Sequence, residues 1–290
     1  MNLRFATSPK GRLLLPTARD RRMMVAVYRH GRMTADQLRR LFLGRPVAEG
    51  EGWRLASRQA ARARLRKLAE RGYLDRIVLP VPKGSGPYAY GLAPLGTEIV
   101  AAELALPAKS VRSRQGPSGL FTLQHALEVA EFRVVLHEAL REAAGELVAW
   151  LGERELVFPL ARSGPSRTLT PDGYCHWRLF GREGAFFLEW DRGTESMVVL
   201  SQKLRRYADY FRPALYRQHL TIDLKPRLLL VVSEARRREA LLRWLQRGFP
   251  AGPSEQLPTL LVASWDEVRA VPLGTVWFRP GVREASEFWR

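Results

Sequence analysis

The sequence predicts a mixed α/β fold (α+β overall) in two parts, and three observations lead to this prediction. Residues 17–104 contain three helical patterns followed by two strand patterns. Residues 120–290 alternate between helix and strand patterns, which is typical of an α/β domain with a mixed central sheet. Between the two parts, residues 105–119 are rich in Ser, Pro, Gly and Arg, and this composition predicts a linker.

Three helices are expected in the amino-terminal part. The first covers Arg19 to His30 and stops at the glycine that follows. The second opens at Thr34, because Thr34 and Gln37 have the spacing of a capping box. The third begins after Ser57 and ends near Gly72, with its apolar side chains on one face.

The third predicted helix carries a basic face opposite its apolar stripe. Arginines recur there every four residues, and in a major groove arginine can pair with guanine and glutamine with adenine. Two short strands with a Gly/Pro-rich tip follow this helix and predict a wing. Residues 17–104 are therefore predicted to form a winged helix-turn-helix domain that binds DNA. The predicted DNA contacts are Arg58, Gln59, Arg62, Arg64, Arg66, Lys67 and Lys83.

Charge is distributed unevenly along the chain, whose formal net charge is +18. Residues 1–118 hold 23 Lys and Arg against 8 Asp and Glu, whereas residues 119–290 hold 24 against 21. The positive excess is therefore amino-terminal, as expected for a part that binds a polyanion in a salt-dependent manner.

Composition also excludes some classes of protein. The single cysteine, Cys175, excludes an internal disulfide and a cysteine-rich zinc site, and we expect it to lie in the core. No apolar run approaches the roughly 20 residues that cross a bilayer. We therefore expect a cytoplasmic protein that does not bind membranes.

The carboxy-terminal part is predicted to contain helices and strands in the order αβββαβαβ. A long amphipathic helix from Leu120 precedes a strand over residues 153–160 and a hairpin that turns at residues 181–184. A helix over residues 194–211 follows, and then the buried strand KPRLLLVVS, another helix and the buried strand TLLVASW.

Three carboxylates are expected to meet on the hairpin. Asp172 lies at its start, and Glu189 and Asp191 share one face of its second strand because they are two residues apart. Such oxygens could hold Mg²⁺ or Mn²⁺, which would activate water and stabilise the charge on a phosphodiester transition state. We predict Asp172, Glu189 and Asp191 as metal ligands and catalytic residues.

The next helix adds Lys203, Tyr207 and Tyr210 on one face, where Lys203 could stabilise negative charge or orient the attacking water. Glu153 or Glu155 could complete the acidic set. Each of these residues also has a purely structural explanation. Glu189 and Asp191 could be solvent-facing strand residues, and Lys203 and the tyrosines could lie on the helix surface.

Three segments of the second part carry a family resemblance: TPDGYCHWRLF, FFLEWDRGTES and LSQKLRRYADYF, together with the helix LQHALEVAEF. They resemble the bacterial plasmid replication-relaxation family, which joins a winged helix to a nuclease-like domain. The resemblance implies DNA handling on mobile elements and a core similar to that of PD-(D/E)XK nucleases. It also implies that Asp172, Glu189 and Asp191 are the acidic positions. The family pattern has a lysine two residues after Glu189, where this chain has Asp191, and Lys203 is the expected replacement.

Two functions remain open at this point. The first is a DNA-binding protein of a plasmid or mobile element, involved in replication or relaxation, whose second domain is an Mg²⁺- or Mn²⁺-dependent endonuclease that nicks double-stranded DNA. The second is a non-catalytic initiator or transcriptional regulator whose nuclease-like domain serves dimerisation, as a homodimer, or partner binding. A relaxase with a tyrosine nucleophile would need a histidine cluster, and the five histidines are scattered.

Overall fold

The structure is a computed structural model that describes residues 15–47, 52–84, 86–113, 119–160, 167–220, 223–248 and 257–290. The elements of the amino-terminal part are α1 (Ala18–His30), β1 (Met33–Thr34), α2 (Ala35–Phe42), β2 (Gly44–Pro46), β3 (Trp53–Leu55), α3 (Arg58–Glu70), β4 (Leu74–Val78), β5 (Tyr88–Leu92), α4 (Pro94–Glu103) and α5 (Ala108–Ser113). Those that follow are α6 (Leu120–Glu142), β6 (Glu146–Gly152), β7 (Phe158–Leu160), β8 (Arg167–Leu169), β9 (Gly173–Leu179), β10 (Arg182–Asp191), α7 (Met197–Phe211), α8 (Tyr216–His219), β11 (Arg227–Val232), α9 (Ala235–Gly248), β12 (Leu260–Ser264), α10 (Trp265–Ala270), β13 (Trp277–Phe278) and β14 (Ala285–Ser286).

The three predicted helices and the predicted hairpin are present in the amino-terminal part. Capping boxes at Thr17 and Thr34 begin α1 and α2, and the Ser57 hydroxyl accepts a hydrogen bond from the third backbone N–H of α3. Beyond α3 the chain turns at Gly72, whose positive φ of 75° favours glycine. Strands β4 and β5 form a hairpin, and β1 pairs with β5 on its other edge.

Two features of this part differ from the prediction. The segment between α2 and α3, for which no strand was predicted, contains the short antiparallel pair β2 and β3. The segment predicted as a linker contains α5, whose Val111 is fully buried in the same hydrophobic core as Ala130 and Val134 of α6. Burying Val111 favours a helix here despite the composition. Residues 114–118 lie outside the described part of the chain.

A mixed seven-stranded sheet organises the second part, in the order β14-β13-β12-β11-β10-β9-β6. Strands β10, β11 and β12 are parallel, whereas β9 runs antiparallel to both of its neighbours, β6 and β10. Helices α6 and α10 pack on one face and α7 and α9 on the other, each over its own hydrophobic core. The predicted mixed α/β fold is confirmed. Cys175 is fully buried, as predicted.

The strand predicted over residues 153–160 is only partly correct. Glu153 lies in a turn between β6 and β7, and β6 itself was not predicted. A register irregularity between Leu147 and Ala149 interrupts the pairing of β6 with β9, and such an irregularity disturbs the alternation by which a strand is recognised. The hairpin of β9 and β10 turns at Phe180 and Gly181, slightly earlier than predicted. In the described residues, no helix is both long and apolar enough to span a membrane.

Candidate functional site

Three elements bring Asp172, Glu189 and Lys203 together. Asp172 directly precedes β9, Glu189 lies on β10 and Lys203 on α7. The antiparallel register pairs Gly173 with Leu188, so Asp172 lies beside Glu189 across the two strands. The Lys203 ammonium contacts Glu189 Oε2 and is 3.8 Å from Asp172 Oδ2. We call Asp172, Glu189 and Lys203 the acidic-lysine cluster.

Backbone and side-chain groups hold the two carboxylates in place. The backbone N–H of Trp190 donates to Asp172 Oδ2 at 2.7 Å, and His125 Nε2 of α6 lies 3.1 Å from Asp172 Oδ1. The Tyr207 hydroxyl, one helical turn after Lys203, donates to Glu189 Oε1. Helices on both faces of the sheet, α6 and α7, therefore hold the cluster in place.

Burial and charge shift the pKa values of the cluster in different directions. Burial tends to raise the pKa of Asp172, but the Lys203 charge and the hydrogen bond from His125 outweigh it and lower that pKa. At Glu189, which is only 2% exposed, burial dominates and, with the Asp172 charge, raises the pKa to about 8 despite the opposing Lys203 charge. Burial of Lys203 is outweighed by the two carboxylates, so its pKa is raised and the lysine is charged.

Asp191 is not part of the cluster, contrary to the prediction. It shares a strand face with Glu189, but two residues along a strand are separated by about 6.6 Å. Its Oδ2 is 2.8 Å from Arg237 Nε of α9, and its Oδ1 accepts a hydrogen bond from the Gly193 N–H. Asp191 is 1% exposed, and the charge of its carboxylate is balanced by the ion pair with Arg237. In this arrangement Asp191 is engaged by α9 and the Gly193 N–H rather than by Lys203.

The structure also shows which of the other candidate residues lie near the cluster. Glu155 pairs with Arg29 of α1 at 2.8 Å, away from the site. Burial raises the pKa of Glu153, and the charge of Asp172 raises it further, so Glu153 lies within electrostatic reach of the cluster. Tyr210 packs against Phe158 in the core. His125, which was not among the predicted site residues, was indicated only by the resemblance of its helix.

The donor set of the cluster fits a hard divalent cation. Magnesium is commonly bound by one or two carboxylates and completes its coordination with water and substrate phosphate oxygens, and Asp172 and Glu189 are two such ligands. Within the described ranges, no three or more His, Cys, Asp and Glu side chains are grouped to share a metal ion. The arrangement therefore fits a two-carboxylate site with an adjacent lysine rather than the three-carboxylate site expected from the sequence.

The second candidate surface is the outer face of α3. Among the predicted DNA contacts, the exposed residues are Arg58, Gln59, Arg62, Arg66 and Lys67 on α3 and Lys83 in the β4–β5 hairpin tip. Arg64 is different, because its guanidinium pairs with the fully buried Asp20 of α1. The Arg64 guanidinium is therefore engaged by α1, unlike the exposed basic residues of α3.

Comparison with known protein families identifies the family of this chain. No curated protein and no solved structure shows a significant match to the chain. The family model described as replication-relaxation matches residues 24–222, which include α3, the β4–β5 hairpin and the whole acidic-lysine cluster. This match covers well over half of the sequence, and the chain belongs to the replication-relaxation family.

Proposed function

We propose that this chain is a DNA-binding protein of plasmid or mobile-element replication that nicks DNA in a metal-dependent reaction. The outer face of α3 and the β4–β5 hairpin, as a winged helix, bind duplex DNA, and the acidic-lysine cluster cleaves one phosphodiester. The convergence of Asp172, Glu189 and Lys203 from three elements carries this proposal. It supplies two carboxylates and a lysine despite the absence of a lysine two residues after Glu189.

Each side chain of the cluster has a role in the proposed reaction. Asp172 and Glu189 would hold Mg²⁺ or Mn²⁺, which supplies an activated water and stabilises negative charge on the phosphate. The Lys203 ammonium stabilises the charge that develops on the phosphate oxygens or orients the attacking water. The Trp190 N–H and His125 orient Asp172, and Tyr207 orients Glu189, so the carboxylates are held before substrate binds.

A second function is favoured by a specific feature of the cluster. The Lys203 ammonium already contacts Glu189 and lies within ion-pair distance of Asp172, and Glu189 is almost completely buried. A cluster of this kind could stabilise the fold without any metal. In that case the protein is a non-catalytic initiator or regulator, and its second domain serves dimerisation or contact with a partner.

Nicking of supercoiled plasmid in Mg²⁺ or Mn²⁺ distinguishes the two functions. We expect wild-type protein to nick the plasmid, and Asp172→Asn and Lys203→Met to reduce the rate at least a hundredfold, because each removes one functional group of the cluster. Asp209→Asn is the matched control, because Asp209 is exposed on the same helix as Lys203. We expect Asp191→Asn to retain nicking in its folded fraction.

Circular dichroism and a gel shift on the same preparations show whether each variant is folded and binds DNA. Wild-type protein that binds DNA but shows no metal-dependent nicking would support the non-catalytic function. Nicking that survives in Asp172→Asn and Lys203→Met would exclude this cluster as the catalytic site.

A further inference from the structure

An open cavity of about 300 Å³ lies between the amino-terminal part and the second part. The α1–β1 corner and strands β4 and β5 form one wall, and the start of α6 and the turn after β6 form the other. Strands β4 and β5 are the same strands that carry the exposed hairpin tip with Lys83. Two strands of the proposed DNA-binding module therefore form part of the cavity wall.

The walls combine the two chemistries that a nucleotide needs. Ile77, Leu92 and Leu123 provide apolar surface against which a base can pack. Three arginines, Arg29, Arg32 and Arg154, line the same cavity. Arginine is suited both to hydrogen bonding with phosphate and to stacking on a base.

Two of these guanidinium groups are held in fixed orientations. Arg29 forms two hydrogen bonds to the Glu155 carboxylate, at 2.8 and 3.1 Å, and Arg32 forms two to Asp75, at 2.7 and 2.9 Å. A bidentate pair of this kind uses two of the five N–H donors of an arginine. Pre-oriented groups lose little conformational entropy when they bind a ligand.

The cavity also adjoins the acidic-lysine cluster. Thr122 and Ala126 of α6 line it near His125, whose Nε2 lies 3.1 Å from Asp172 Oδ1. Glu153 also lies on its wall, and burial followed by the Asp172 charge raises the pKa of the Glu153 carboxyl group. A group bound in the cavity is therefore close to the proposed site of cleavage.

We propose that this cavity binds one unpaired nucleotide of the DNA substrate. This inference rests on the proposed DNA-binding function. A volume of about 300 Å³ is at the lower end for ligand pockets and suits a single nucleotide rather than a duplex. Because β4 and β5 of the proposed duplex-binding module form part of the cavity wall, the preferred substrate is a junction between duplex and single-stranded DNA.

Fluorescence anisotropy in EDTA tests this proposal without involving cleavage. The probes are a blunt duplex and the same duplex with a five-nucleotide 5′ or 3′ overhang. We expect wild-type protein to bind one of the overhang probes about tenfold more tightly than the blunt duplex, as expected for one stacked base with a phosphate contact. Thr122→Trp, which adds a bulky ring at an exposed position of the cavity wall, should remove this preference and leave blunt-duplex affinity unchanged.

Leu120→Trp is the matched control, because Leu120 is an exposed residue of the same helix outside the cavity lining. Arg154→Gln is a second variant that should reduce the preference at least threefold without adding bulk. Equal wild-type affinity for all probes, or a preference that survives in both cavity variants, would overturn the proposal. If wild-type protein bound none of the probes, the proposed function itself would be overturned. The double variant Arg58→Ala with Arg62→Ala should weaken binding to every probe and preserve the overhang preference.

Discussion

At the scale of single residues, Glu189 couples the stability of the protein to pH. Its pKa is about 8 in the folded protein, against an ordinary value of 4.5, because burial disfavours the carboxylate. A raised pKa means that the folded state binds this proton more tightly than the unfolded state. The resulting stabilisation is complete below about pH 4.5 and is lost as the pH rises through about 8.

Glu189→Gln removes this titration while nearly preserving the shape of the side chain. We expect the free energy of unfolding of Glu189→Gln, relative to wild type, to increase between pH 5 and pH 9. The scale is about 1.4 kcal/mol for each unit of pKa shift. Urea unfolding at both pH values measures the change, and Glu142→Gln on the exposed surface of α6 is the control. A relative stability that does not depend on pH would show that Glu189 titrates normally.

At the scale of one element, α3 has two chemically different groups of arginines. Arg58 and Arg62 are exposed, whereas Arg64 neutralises the buried Asp20. We expect Arg58→Ala with Arg62→Ala to weaken DNA binding strongly and to lower the salt dependence, log Kd against log salt, by about 2, because each phosphate contact contributes about 1. Gel shifts or anisotropy between about 50 and 200 mM salt measure this effect, because DNA affinity changes steeply over that range.

Arg64→Ala on the same helix should have the opposite pattern of effects, a loss of stability rather than of DNA binding. Because Asp20 would remain buried without its ion pair, we expect a loss of about 3 kcal/mol in stability, measured by urea unfolding. The folded fraction should still bind DNA with wild-type affinity. If Arg64→Ala weakens DNA binding as much as the double variant does, the division of α3 into a DNA face and a core-facing arginine is wrong.

At the scale of the whole molecule, α2 and α6 join the two parts. The Arg40 guanidinium pairs with both Glu131 and Glu138 of α6, and the Gln37 side chain donates to the Leu127 carbonyl at 2.9 Å. Together with the shared hydrophobic core, these contacts should make the described parts unfold as one unit.

We expect Arg40→Ala to lower the free energy of unfolding by about 2–4 kcal/mol, because two partly buried carboxylates lose their common partner. The exposed Arg45 gives the matched control, Arg45→Ala, for which a change within about 0.5 kcal/mol is expected. Calorimetry measures both effects. Two separate transitions in wild-type protein, or equal effects of the two substitutions, would show that this contact does not couple the parts.

The sequence by itself determined the features that depend on neighbouring residues. Capping residues Thr34 and Ser57 placed the starts of α2 and α3, because a cap acts within one helical turn. Alternation and apolar runs predicted β9, β10, β11 and β12, so the mixed α/β class followed without coordinates. The spacing of Glu189 and Asp191 correctly placed both on one strand face, where Phe187 also lies.

Only the tertiary structure decided which charged groups meet. Asp191 and Glu189 are equivalent in local pattern, yet α9 brings Arg237 to Asp191, whereas α7 brings Lys203 to Glu189. In the same way, Arg62 and Arg64 both read as a basic helix surface until α1 places Asp20 beside Arg64. These pairings join residues far apart in the chain, so they depend on how helices pack on the sheet and on one another, and no local spacing encodes them.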